Sequence, residues 1–185
     1  MNILERYLIK HCSPTLASLK TANLFNLSYS SYKEIEEYLC DYKNYLAQKD
    51  ISITVLKKGQ DYALIYVYRK KRLHEDLNKT EVFEFLHNIG YRYDNYEEAL
   101  DYLIERMGKS EDFPHEIGLF LGYPLEDVLG FIYNKGKNYK YIGCWKVYCN
   151  ECDALKQFEK FKKCKDVYWK HWNQGKSVMQ LTVMV

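Results

Sequence analysis

Four cysteines in the last quarter of the chain are the residues whose spacing most resembles chemistry. Cys144, Cys149 and Cys152 sit in GCWKVYCNEC, and Cys164 follows further along. The run Cys–x4–Cys–x2–Cys with a later fourth cysteine is the ligand spacing of a plant-type two-iron, two-sulfur cluster. Spacing alone does not make thiolates converge. Trp145, Val147 and Tyr148 give the intervening stretch the character of a strand, and alternation along a strand sends Cys144 and Cys149 to opposite faces. Cys152 and Cys164 differ by about a third of a turn on a continuous helix. Structural zinc favours CxxC knuckles in pairs, and only Cys149–Cys152 has that form. The four are therefore read as small, reduced, buried thiols rather than as a metal set. A redox enzyme or sensor working through Cys12 or Cys144 is an alternative, which requires a lowered thiol pKa.

Histidines 11, 74, 87, 115 and 171 are scattered, without HxxxH or HExxH. His11-Cys12 and His115-Glu116 are the pairs with the most chemical potential, since a histidine beside a cysteine can activate a nucleophile or ligate haem. Glycine-rich phosphate loops, GxSxG and carboxylate metal motifs do not occur in the chain, so an enzyme reading has no anchor.

HEIGLFLGYPLEDVLGFI, within 115–134, has the residue pattern of a helix-turn-helix. Gly118 is small enough for a helix crossing, Leu121 ends the first helix, Gly122 makes the turn, and Val128 and Phe131 anchor the second. The chemistry is wrong for DNA, however. Leu125, Glu126 and Asp127 would be the exposed first turn of the reading helix, where DNA readers carry Arg, Lys, Asn or Gln. Acidic residues there complement the helix dipole. A helical corner is the favoured reading and a DNA-binding regulator the alternative. RKKR at 69–72 reads as a solvated strand end, and the lysines with Tyr168, Trp169 and Trp172 read as an amphipathic helix.

These residues need elements to place them. At 185 residues with a net charge of +2, the chain suits one domain spanning 1–185, and neither a nucleic-acid coat nor a polybasic membrane anchor. Nineteen tyrosines supply half-buried, half-wet surface. MNILERYLIKHCS lacks the apolar region of a secretory signal, and no run is long enough to span a membrane. A cytoplasmic setting, with six reduced cysteines, follows.

The fold class is α+β: a small antiparallel sheet packed by helices, with a helix-dominated C-terminal half. A first helix breaks at Pro14, and a short helix and an extended NLFNLS follow. Ser31 and Glu34 cap a helix whose stripe is Ile35, Tyr38, Leu39, Tyr42, Tyr45 and Leu46. ISITVL and YALIYVY form a hairpin near 51–68. Two helices end at Gly90 and Gly108, the second capped by Asn95 and Glu98. A strand at GCWKVYC, a cap at Asn150, a long helix closed by Gly175 and a last strand in VMQLTVMV complete the reading.

HCSPTLASLKTANLF, FPHEIGLFLGYPLEDVLGFI and GCWKVY together resemble an uncharacterised bacterial family, a domain of unknown function of anaerobic Gram-positive bacteria. The resemblance spans nearly the whole chain and brings no established activity with it. It singles out as ligand-binding candidates His11, Cys12, Thr15, Lys20, His115, Glu116, Tyr123, Trp145 and Lys146, in stretches that also include Pro14, Gly122 and Pro124. It further implies a non-enzymatic accessory or binding role, linked to iron, haem or flavodoxin-type redox metabolism. The partner would be a flavodoxin-like protein or a small ligand. The sequence identifies no particular cofactor.

Overall fold

A computed structural model describes residues 3–30, 32–109 and 113–184. It divides into two compact units: 1–73 with 164–185, and 74–163.

The first unit is built on a three-stranded antiparallel sheet. β1 (Ala22–Ser28) and β2 (Ile51–Lys58) flank a central β3 (Tyr62–Arg69). Branched and aromatic runs around the Gly59 turn produce the β2–β3 hairpin as the sequence requires. Leu56 is an extra residue between Val55 and Lys57 where the register shifts. One face of β3 presents Ala63, Ile65 and Val67 to the core, facing α1 (Ile3–Leu16) and α2 (Tyr32–Ala47) through Leu4, Leu8, Ile35, Leu39 and Leu46. Tyr66 and Tyr68 alternate to the other face and stack on each other at 4.8 Å. Ser31 and the side chains of Glu34 and Tyr38, which the capping box and the apolar stripe invoked, lie outside the described residues.

Three expectations need correcting in this unit. Pro14 does not break the first helix, which continues to Leu16, and no second short helix follows. Proline removes one helix bond, from its own position back to Lys10, and crowds that carbonyl, a cost that the buried face from Leu4 to Leu16 outweighs. Here the helix stops within a turn, and the Pro14 carbonyl accepts from the Leu19 and Lys20 amides. VMQL is a helical turn, α9 (Val178–Leu181), not a strand: Ser177 and Gln180 form a reciprocal capping box that outweighs the strand preference of the valines. Finally, RKKR is not a solvated strand end. Arg69 is fully buried, and Lys70 already opens a helix, α3 (Lys70–Leu77).

The second unit is mainly helical. α4 (Thr80–Asn88) stops at Gly90, whose φ of 103° is the left-handed stop its glycine suits. α5 (Tyr96–Lys109) begins where Asn95 Oδ1 accepts from the Glu98 amide at 2.9 Å and the Glu98 carboxylate accepts from the Asp94 amide at 2.8 Å. Gly108 is not a stop, because α5 runs through it to Lys109. The corner is formed by α6 (Ile117–Phe120) and α7 (Leu125–Tyr133), joined through Gly122 at φ 73°. A two-stranded ladder follows, β4 (Tyr141–Ile142) with β5 (Lys146–Val147), of which the sequence reading anticipated only the second strand. α8 (Glu151–Asn173) then begins after Asn150, whose φ is 41°. The division between the units falls within this helix, and Gly175 (φ 91°) lies just beyond its end. Among the described residues, no helix is long and apolar enough to cross a membrane.

Candidate functional site

A cavity of the second unit lies between the α6–α7 corner and the β4–β5 ladder. It measures about 450 Å³, within the range of small-molecule sites. Gly118, Tyr123, Val128, Phe131, Ile142 and Trp145 provide its apolar wall, and His115, Asp127, Cys144 and Lys146 its polar points.

Close approach at the corner makes the wall. A Cβ on Gly118 would stand 2.7 Å from Val128 Cγ2 and 3.2 Å from Tyr123 Cδ2, so only glycine lets α6 and α7 meet there. Tyr123 lies against Trp145 with ring centroids 4.9 Å apart and planes 28° apart, an offset stack. Phe158 also meets the indole edge-on, at 4.5 Å. The Tyr123 hydroxyl donates to the Cys144 carbonyl at 3.2 Å, and burial pushes its pKa up, so it remains a neutral donor. His115 meets Phe131 edge-on at 4.8 Å.

Asp127 holds this arrangement in place. It is 3% exposed. Oδ2 accepts from Trp145 Nε1 at 2.7 Å, and Oδ1 accepts from the amides of Tyr148 (2.7 Å) and Cys149 (3.1 Å). One carboxylate on α7 thus aligns the indole and the chain leading into α8. Asp127 was expected on the outer face of a helix-turn-helix first turn; it faces inward instead, while Glu126 is exposed. Helical spacing offered the clue, since Asp127 lies four residues before Phe131 and so shares its face.

Lys146 Nζ donates to the Gly136 carbonyl at 2.7 Å and lies 5.5 Å and 4.9 Å from the ring centroids of Phe131 and Tyr139. Of the signature residues, His115, Tyr123, Trp145 and Lys146 therefore gather at one pocket. Glu116 does not line it: 4% exposed, it accepts from Arg106 Nε at 2.9 Å and the Tyr91 hydroxyl at 3.1 Å.

His11, Cys12, Thr15 and Lys20 belong to the first unit. His11 stacks on Phe25 at 5.7 Å and packs beside Tyr7; burial, with Lys10 and Lys165, lowers its pKa. Cys12 is wholly buried, which drives its thiol pKa far upward. Thr15 donates its hydroxyl to Asn23 Oδ1 at 2.7 Å, and Lys20 is buried. These positions read as a packed helix end and its turn.

The expectation of four buried thiols holds only for Cys164, in the core of the first unit: Cys149 is half-buried, and Cys144 and Cys152 are exposed. Among the described residues, no group of three or more His, Cys, Asp or Glu side chains is placed to hold a metal ion. Burial, followed by Asp127, raises the Cys149 pKa, and burial pushes Cys164 up to about 11. Thiolate is the reacting form, so at neutral pH Cys164 should alkylate about a hundredfold or more slowly than a free thiol of pKa ~8.5. Iodoacetamide labelling followed by peptide mass spectrometry should show Cys40, Cys144 and Cys152 reacting first and Cys12 and Cys164 last. Early labelling of Cys12 would contradict the burial described above.

The chain belongs to the family described as Protein of unknown function (DUF3793), which matches residues 8–182. No curated protein matches the chain, and no solved structure does.

Proposed function

We propose that the protein is a non-enzymatic binding protein whose second unit takes a planar small molecule. The observation that carries this reading is the Tyr123–Trp145 stack, fixed by a buried carboxylate, on the wall of an apolar pocket. Flat aromatic walls bind flat ligands through dispersion and offset stacking. Fixing both rings beforehand lowers the ordering cost of binding. A concave site favours the small-ligand alternative over a flavodoxin-like protein partner, whose docking would call for a broad surface. Haem and flavin, the cofactors of the iron- and flavodoxin-linked role that the resemblance implies, belong to the planar class. His115, on the pocket lining, is the side chain that could approach a haem iron.

The protein should be purified anaerobically, its visible spectrum and metal content recorded, and then titrated with haemin, with flavin mononucleotide and with the uncharged dye N-phenylnaphthylamine. Saturable one-to-one binding of at least one of them is expected. A Soret shift that disappears in His115→Ala would place haem in the site. Absence of binding by all three would overturn the reading.

A further inference from the structure

Lys146 brings to the pocket a cation that no carboxylate pairs with among the described residues. Residues 128–150 carry Lys135, Lys137, Lys140 and Lys146 and no aspartate or glutamate. Lys146 lines the pocket and is only half exposed. Its ammonium is met by one main-chain carbonyl and two ring faces, and the ion pairs among the described residues do not include it. Asp127, the acid within the cavity, already accepts from Trp145, Tyr148 and Cys149. A carbonyl and ring quadrupoles replace only part of the hydration a lysine loses on burial. A lysine has three donors, and one of them is used by Gly136.

The loop that carries Gly136 is shaped around this contact. Lys135, Gly136 and Asn138 all have positive φ, and a Cβ on Gly136 would stand 3.1 Å from the Phe131 ring and 3.4 Å from Lys146 Nζ. The chain is thus turned so that the ammonium lies beside the aromatic wall.

We infer that the ligand of this pocket is anionic: a planar aromatic molecule bearing a carboxylate, sulfonate or phosphate, with the ring system on the Tyr123–Trp145–Phe131 wall and the anion on Lys146 Nζ. This rests on the pocket reading proposed above and adds the charge of the ligand to it.

Two dyes with one ring skeleton separate the two claims: uncharged N-phenylnaphthylamine and its sulfonate, anilinonaphthalene sulfonate. Binding of each to the intact chain is followed by fluorescence, with near-UV circular dichroism confirming native packing. The sulfonate should bind about tenfold more tightly than the uncharged dye, the gain expected of one charge-assisted hydrogen bond. Lys146→Gln should abolish the advantage of the sulfonate over the uncharged dye, whatever it does to the binding of both, and Lys146→Arg should restore that advantage. Equal binding of the two dyes to the wild type would overturn the inference while leaving the pocket reading intact. A gain that survives Lys146→Gln would overturn the assignment to Lys146. Should Lys146→Gln lose both dyes, its packing role at Gly136 is responsible and Lys146→Arg decides: the sulfonate advantage must persist there, and its loss would sink the inference. Failure of both dyes to bind the wild type would overturn the inference, and failure of haemin and flavin mononucleotide as well would overturn the pocket reading itself.

Discussion

Arg69→Met is expected to destabilise the protein by about 3 kcal/mol or more, the scale of a broken buried hydrogen-bond network. Arg69 is 0% exposed. Nε donates to the Thr15 carbonyl at 2.8 Å, and Nη1 to that of Lys49 at 3.1 Å. Nη2 donates to those of Leu16 and Val183 at 2.7 and 3.0 Å. One guanidinium therefore satisfies main-chain acceptors in the last turn of α1, after α2 and near the C-terminus. Methionine matches the stem in volume but takes a donor from all four carbonyls; those of Thr15 and Leu16 keep the Ser18 and Val183 amides, and each acceptor left unsatisfied where water cannot reach costs about 1–3 kcal/mol. Arg69→Lys should recover little, because an ammonium lacks the planar fork that reaches several carbonyls at once. Urea unfolding followed by far-UV circular dichroism measures the effect. A loss below about 1 kcal/mol would mean that water replaces the guanidinium, contrary to this account.

Asp127→Ala should cost about 2–4 kcal/mol, since it strips the acceptor from one indole and two main-chain donors that are buried or partly buried. Asp127→Asn should be almost as severe. An amide keeps one acceptor oxygen and turns an NH2 toward the remaining donors. Both variants should also release the Trp145 ring, so the near-UV tryptophan signal should weaken and dye binding fall with it. A double-mutant cycle with Trp145→Phe isolates the indole bond, with a coupling of about 1–3 kcal/mol expected for a hydrogen bond to a charged group. Thermal unfolding supplies the four stabilities. Additive losses would show that Asp127 acts only through the Tyr148 and Cys149 amides.

Features legible in the sequence were those fixed by local rules. The β2–β3 hairpin follows from alternation around Gly59, α4 from its apolar period and its Gly90 stop, and the start of α5 from Asn95 and Glu98. Features that depend on distant partners were hidden. Nothing near Arg69 in the chain announces that its acceptors lie at 15, 16, 49 and 183. Pro14 does not end α1, because burial of residues as far along the chain as Leu16 outweighs the one helix bond a proline removes. α9 was missed although its capping pair, Ser177 and Gln180, was in plain view, because the valines suggested a strand.

The site was half legible. Its motif stretches contained His115, Tyr123, Trp145 and Lys146, and their meeting in one pocket depends on the turn at Gly122 and on the β4–β5 ladder. Asp127 was read from its charge alone, as a dipole partner at a helix start. Its position on the same helical face as Phe131 would have turned it inward. The cysteines carried a ligand-like spacing, yet in the fold one thiol lies beside Asp127, one is buried in the first unit and two are exposed.

The most direct test of a preformed aromatic site is the indole region of a proton–nitrogen correlation spectrum, titrated with N-phenylnaphthylamine. The three tryptophans, 145, 169 and 172, give separable Nε1–H signals that single Trp→Phe variants assign. The Trp145 signal should shift in a saturable way while those of Trp169 and Trp172 hold still. A titration that moves either of the latter two and leaves Trp145 in place would contradict the account.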